Sequence, residues 1–182
     1  MPHAVSENTR QAVDYLFTTA ARANLVMDSA DAIEIERLPG SGIVETPEPN
    51  IFVLTISSYL FRLLTVFHVD PEGVTANYFS KSDAGKTFQE VFGEIGNLCC
   101  GAVNRELGKH FLHTGMSTPN MLGRGCVTYL NELKPDYVSR HRISINDRVA
   151  MHATLCLCAY APLDFRVDTS AVVEETGALE LF

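Results

Sequence analysis

TFQEVFGEIGNLCCGAVNRELG, residues 87–108, is the stretch from which we predict the fold, because it is the longest segment with a helical period. At about 100° per residue, its apolar side chains gather on one side of a helix. They are Phe88, Val91, Phe92, Ile95, Leu98, Cys99, Ala102 and Val103. This stripe predicts an amphipathic helix that packs against the core of the domain.

The opposite side of this predicted helix does not have the composition of an ordinary solvated face. It carries Glu90, Gly93, Glu94, Asn97, Gly101, Asn104, Arg105 and Gly108. A glycine inside a helix costs roughly 1 kcal/mol relative to alanine, whereas it leaves a bare surface that another backbone can approach closely. Glu94 and Asn97 project from this surface at positions i and i+3, one turn apart. We interpret the face as a docking surface that carries a carboxylate and a carboxamide.

Length and composition indicate an ordinary globular protein. A chain of 182 residues with 46% hydrophobic and 20% charged residues predicts a single domain, 1–182, with a substantial core. The formal net charge of −8 argues against a nucleic-acid or anionic-membrane partner. The first residues lack the basic and apolar regions of a signal peptide, and five cysteines in apolar surroundings do not resemble a secreted disulfide framework. We therefore expect a cytoplasmic protein.

The rest of the chain predicts a layered domain. The elements expected before the central helix are a helix over 6–27, a strand over 32–37, a loop over 38–50, and strands over 51–57 and 59–69. Apolar residues on both faces of the last strand predict a central position in a sheet, with helices over at least one face. Residues 74–85 are either a short helix or an irregular lead-in, and Ser82 or Asp83 is a candidate cap for the central helix.

After the central helix we expect a strand or loop over 110–121, strands over 126–133, 140–145 and 149–160, and a tail over 169–182 that is a short helix or disordered. Asn146-Asp147 is typical of a tight hairpin turn. The predicted fold class is α/β, with two principal helices packed on an antiparallel sheet of about five or six strands.

The segment Glu94-Ile95-Gly96-Asn97-Leu98, followed by Gly101, resembles the signature helix of the CheC/CheX/FliY family. These proteins are phosphatases of the chemotaxis response regulator CheY. Leu107-Gly108-Lys109-His110 at the end of the helix, and Pro119 about one strand later, fit the same motif. The resemblance covers mainly residues 85–120, and the order of elements elsewhere is compatible with it.

The resemblance implies a mechanism in two-component signalling. The helix would insert into the active site of the phosphorylated regulator, where Glu94 would pair with the invariant lysine of the partner. Asn97 would hold a water molecule in line with the aspartyl phosphate. Gly93 and Gly101, with Glu90 and Asn104, are the further residues predicted to contact the partner. The Mg²⁺ ion would belong to the response regulator, and this chain itself would need neither a metal nor another cofactor.

Two departures from the family pattern refine this expectation. Glu90 stands where the family often has Ser or Asp, so a second carboxylate lies one turn from Glu94. The first helix has Val13-Asp14-Tyr15-Leu16 in the region where a two-site member carries a second Glu-x-x-Asn. The chain therefore resembles the single-site CheX type more than CheC, and CheX-type members imply a homodimer.

Other readings of the sequence remain open beside the phosphatase. A CheX-like module that binds a receiver domain, or a flagellar or signalling partner, without catalysis would use the same helix face. Cysteines and histidines also suggest a metal site, which the spacing disfavours because structural zinc sites use Cys pairs separated by two to four residues. These candidates are Cys99, Cys100, Cys156, Cys158, His110, His113 and His152. Buried small apolar side chains explain the cysteines better.

Overall fold

The structure, a computed structural model, describes residues 5–82 and 85–169. Its helices are α1 (Glu7–Asn24), α2 (Gly73–Phe79) and α3 (Phe88–Leu107). Its strands are β1 (Ile33–Leu38), β2 (Asn50–Ser57), β3 (Phe61–Val69), β4 (Gly115–Met116), β5 (Asn120–Gly123), β6 (Tyr137–Ile145) and β7 (Val149–Ala159). Two 3₁₀ helices span Ser80–Ser82 and Arg124–Leu133. Asp83 and the tail beyond Thr169, for which we predicted a cap and a short helix or disorder, lie outside the described residues.

The strands form one antiparallel sheet with the order β1-β6-β7-β3-β2-β4, and β5 also pairs with β2. The predicted α/β class is confirmed, with seven strands in the described part of the chain where about five or six were expected. β3 is central, as predicted, and eight of its nine residues are buried. The predicted loop over 38–50 is also confirmed, since neither helix nor strand lies between Leu38 and Asn50.

The main core lies between the sheet and the helices α1 and α3. Phe92 of α3 is fully buried and is the centre of an aromatic cluster. The centroid of its ring lies 5.1 Å from Phe52, 5.8 Å from Phe67, 5.1 Å from Phe79 and 5.5 Å from Phe88. These rings come from β2, β3, α2 and α3, so the cluster fixes the position of α3 over one half of the sheet.

The hairpin predicted at Asn146-Asp147 is confirmed. Both residues have positive φ, 52° and 53°, as a two-residue type I′ turn requires. Arg148 N donates to Ile145 O across the turn at 3.1 Å. The turn therefore sets the register in which β6 and β7 pair.

The predicted strand over 126–133 is wrong. Residues Arg124–Leu133 form a 3₁₀ helix that covers the sheet face opposite α1 and α3. Val127 and Leu130 are its buried residues, and their spacing of three is the repeat of a 3₁₀ helix. They pack in one cluster with Leu64 and Val66 of β3. The apolar spacing in so short a segment fits a strand as well as a 3₁₀ helix. Only the position of the segment over the sheet distinguishes the two structures.

Candidate functional site

The start of α3 is held by a reciprocal pair of hydrogen bonds. Thr87 Oγ1 accepts from Glu90 N at 3.3 Å, and Glu90 Oε2 accepts from Thr87 N at 2.8 Å. This capping box satisfies two backbone donors that the first turn of a helix leaves unpaired. Thr87 is therefore the N-terminal cap of α3, and the prediction that Ser82 caps this helix was wrong. Glu90 has a role within the chain, while its contact with a partner stays a prediction.

Glu94 lies on the outer face of α3, as predicted, and its side chain is 64% exposed. Both of its carboxylate oxygens accept from Lys86 Nζ, at 3.1 and 3.2 Å. Sequence reasoning missed Lys86, because it precedes the helix and no helical spacing relates it to Glu94. The carboxylate is thus accessible and already paired with an ammonium group of the same chain.

Gly93 allows a loop to cross close to the helix. It is buried, and a Cβ atom at this position would lie 3.5 Å from Pro119 Cγ and 3.9 Å from Phe52 Cε1. The expectation that Gly93 presents a bare surface was wrong, because Pro119 lies over it. Its contact with a partner stays a prediction. The proline of the sequence motif thereby contacts the motif helix directly.

A shallow cleft of about 480 Å³ opens between α3 and this loop. Its lining residues are Phe52, Thr87, Gln89, Glu90, Gly93, Glu94, Asn97 and Pro119. Both predicted catalytic residues, Glu94 and Asn97, are among them. The structure therefore brings a carboxylate and a carboxamide to one concave surface. Sequence spacing alone placed these two groups only on one face of a helix.

Asn97 is half-buried, and its Oδ1 atom is shielded from solvent. Within the described part of the chain, Oδ1 accepts no hydrogen bond. A shielded carbonyl oxygen without a donor is costly unless a ligand or a water molecule binds it. A carboxamide can accept through oxygen and donate through nitrogen, so it can orient a bound water molecule.

The face of α3 continues beyond the cleft through Gly101 and Asn104. Gly101 is open, since a Cβ there would meet only Arg105 Nη1, at 3.8 Å, among the described atoms. Asn104 Oδ1 is shielded and lacks a partner in the described residues, like that of Asn97. Neither residue lines the cleft. Both predicted contact residues therefore extend the surface without adding to the concave site.

Leu98 corrects one detail of the predicted apolar stripe. We assigned it to the core, but its side chain is 60% exposed. It lies at the border of the stripe, adjacent to Asn97 and one turn after Glu94. The helix therefore presents a large apolar group beside its two polar ones.

No protein-family model matches the sequence, and no curated protein matches it. Solved structures do. The chain is similar to the chemotaxis protein CheX from Vibrio vulnificus, with a TM-score of 0.58 and 14% identity over 79% of this chain and 99% of that chain. The CheX-CheY-BeF3-Mg+2 complex from Borrelia burgdorferi matches with a TM-score of 0.55 and 14% identity, over 82% of this chain and 97% of that chain.

A CheC-like superfamily protein from Shewanella sp. PV-4 matches with a TM-score of 0.53 and 11% identity, over 84% of this chain and 99% of that chain. The chain has the CheX fold. At these sequence identities the similarity establishes the fold. The helix motif suggested a resemblance to the CheC/CheX/FliY proteins, and the fold confirms that resemblance.

In this CheX-like fold, α1 carries a polar network where a two-site member would carry its second motif. Asp14 Oδ2 accepts from Tyr137 Oη at 2.7 Å and from Arg37 Nε at 2.7 Å, and Asp14 Oδ1 accepts from Ser139 Oγ at 2.6 Å. Sequence reasoning missed this network, because its members come from α1, β1 and β6. Asp14 is thus committed to holding α1 against the sheet.

The geometry of the described residues offers no support for a metal site, and Cys99, Cys100, Cys156 and Cys158 are buried. No cluster of three or more His, Cys, Asp or Glu residues suited to a metal ion occurs within residues 5–82 and 85–169. Burial raises the pKa of Cys99 well above its ordinary value, that of Cys100 to about 11 and that of Cys156 to about 12. Such thiols stay protonated near neutral pH and are poor nucleophiles.

Within residues 5–82 and 85–169, no helix combines the length and the hydrophobicity needed to cross a membrane.

Proposed function

We propose that this chain belongs to the CheC/CheX/FliY family and is a phosphatase of the aspartyl phosphate on a response-regulator receiver domain. The observation that carries the proposal is the joint position of Glu94 and Asn97 in one cleft. The CheX fold supports it, because one solved structure with this fold is a complex of CheX with CheY, BeF3 and Mg+2.

The two residues divide the work of positioning. Glu94 pairs with a lysine of the receiver domain and fixes the angle at which α3 enters its active site. Asn97 binds a water molecule through its carboxamide and directs it along the axis of the phosphorus–oxygen bond that breaks. Hydrolysis of a phosphoryl group depends mainly on such alignment and on charge neutralisation, which a Mg²⁺ ion on the receiver supplies. The water oxygen bonds to phosphorus as the bond from phosphorus to the aspartyl oxygen breaks, the aspartate leaves as a carboxylate, and the water protons stay on the phosphate product or pass to solvent.

The proposal includes a cytoplasmic location and a homodimer, as expected for a CheX-type partner of a receiver domain. The net charge of −8 and the helices of the described region are compatible with this setting. Glu90 adds a carboxylate near the phosphate, but its hydrogen bonds to Thr87 hold it at the start of the helix.

The deciding experiment measures the lifetime of a phosphorylated receiver domain from the same genome with and without the protein. We expect wild type to shorten the lifetime and Asn97→Ala to lose the acceleration by about 100-fold, because the water molecule is no longer aligned. The substitution should leave folding and docking nearly intact, since Asn97 Oδ1 makes no hydrogen bond to the described residues.

Asn104→Ala is the matched control. It removes the same side chain from the same helix, outside the cleft, and should retain turnover at saturating receiver. Binding of the receiver without any change in its lifetime would contradict catalysis and leave the chain as an interaction module of the same fold. Unfolding of Asn97→Ala would show that this helix face belongs to the core.

A further inference from the structure

We propose that Lys86 is an internal competitor at the docking site, an ammonium group that occupies Glu94 in the unbound protein and is exchanged for a cation of the docking partner. The inference rests on the proposed function, and it deepens it by stating what the partner must displace from Glu94. Lys86 is not part of the helix motif, and sequence spacing did not connect it with Glu94.

The geometry shows that Lys86 takes the place that a partner's ammonium group needs. Its Nζ atom donates to Glu94 Oε1 at 3.1 Å and to Oε2 at 3.2 Å, so a single cation spans both carboxylate oxygens. The Lys86 and Glu94 side chains are 39% and 64% exposed, so an approaching molecule can reach the pair. A partner that uses Glu94 therefore meets it already neutralised.

The surrounding charges make Glu94 the acceptor for an incoming cation. The neighbouring carboxylate, Glu90, is bound to the backbone and hydroxyl of Thr87. Exposed ion pairs are weak, because water and salt screen both charges. The exposed pair between Lys86 and Glu94 therefore competes with a partner only weakly and does not block it.

Exchange of one ammonium for another limits how much the Glu94 contact adds to the affinity for a partner. A partner that presents a lysine or arginine replaces Lys86 at nearly constant charge, so the new ion pair is gained only as the internal one is lost. A partner that presents a neutral or acidic group at this point cannot replace it, so Glu94 stays paired within the chain. Lys86 thereby lowers the affinity for a receiver domain that pairs its cation with Glu94, and so moderates docking.

The test compares the dissociation constants of wild type and Lys86→Met for a receiver domain activated with beryllofluoride. At low ionic strength we expect Lys86→Met to bind about 3-fold more tightly, because the competing cation is gone. The difference should shrink toward zero in high salt. In the phosphatase assay the KM should fall while kcat stays the same.

Lys109→Met is the matched control, because it removes a lysine that pairs with Glu106 at 2.7 Å at the other end of α3. In a Glu94→Gln background, Lys86→Met should no longer tighten binding, which shows that the effect acts through Glu94. Weaker or unchanged binding of Lys86→Met would overturn the inference while the proposed function stands. Failure of every receiver to bind even wild type would overturn both.

Discussion

Leu98 is an exposed apolar residue beside the two polar residues of the cleft, so it bears on how a partner docks. Its side chain is 60% exposed on α3, between Glu94 and Gly101 in the helical sequence. An exposed leucine by itself is normal for a protein surface. Beside two polar groups that line a cleft, it is placed to be buried when a partner docks.

We predict that Leu98→Gln weakens receiver binding by about 5- to 10-fold, the loss expected when part of a leucine is no longer buried. Stability should change by less than about 0.5 kcal/mol, because glutamine is a good helix former and the site is exposed. Titration calorimetry and urea unfolding measure the two quantities. Tyr129→Gln is the control, since Tyr129 is 71% exposed on the 3₁₀ helix of the opposite sheet face. Unchanged affinity of Leu98→Gln would exclude Leu98 from the interface.

The first turn of α3 explains why a glutamate stands at position 90. The capping box joins Thr87 and Glu90, and it orders the start of the helix from which Glu94 projects. A Ser or Asp at position 90 would be too short to reach Thr87 N in the same way. Glu90 is thus a feature of helix capping in this chain.

We predict that Glu90→Ala lowers the free energy of unfolding by about 1 kcal/mol, because the Thr87 N–H loses its acceptor. Glu90→Gln keeps the capping geometry, since glutamine is accepted at this position of a capping box, and should lose much less. Thermal unfolding of the two variants makes the comparison. Equal destabilisation by both would show that the charge of Glu90 matters more than its hydrogen bonds. A faster phosphatase rate for Glu90→Gln would show that this carboxylate repels the phosphoryl group.

The two faces of the sheet differ in what they bury. The face under α1 and α3 buries His141 of β6 against Phe17, and the other face buries His68 of β3 beside His152 of β7, its partner in the strand register. His68 Nε2 and Thr154 Oγ1 share a hydrogen bond of 2.9 Å, and His152 Nδ1 lies 2.7 Å from Glu48 Oε1. These contacts attach the loop before β2 to the sheet.

This buried cluster predicts a stability that falls in acid. Burial lowers the pKa of His68 to about 4, while Glu48 opposes the shift and His152 adds to it. Between the ordinary value of 6.5 and about 4, the unfolded chain binds a proton at this residue that the folded chain does not, so stability decreases as the pH falls through this range. Burial raises the pKa of Glu48, but hydrogen bonds, chiefly from His152, bring it below its ordinary value. Its contribution is likewise lost as the pH falls.

We expect the free energy of unfolding to drop by about 1 kcal/mol between pH 7.5 and pH 5.5 through His68 alone. Urea unfolding at the two pH values measures the change. His68→Gln should reduce it, because glutamine does not titrate and can still bond to Thr154. His113→Asn is the control, since His113 is exposed and its φ of 58° suits asparagine. An undiminished pH dependence in His68→Gln would assign it to other groups.

The parts of this protein that were predictable from sequence depend on local patterns. The helix α3 follows from a stripe with a period of 3.6 residues, and the β6–β7 turn follows from Asn146-Asp147. The two polar residues of the site, Glu94 and Asn97, follow from their spacing on that helix. Each of these features is encoded by residues within about two helical turns or one hairpin of each other.

The tertiary structure decided the features that depend on residues far apart in the chain. Pro119 covers Gly93, and residues 124–133 coil over the sheet instead of joining it. Exposure of Leu98 likewise depends on where α3 rests on its neighbours. Periodicity states which side chains share a face, because backbone geometry fixes that locally. Only the packing of distant segments determines which of those faces is covered, and with it the shape and the charge of the cleft.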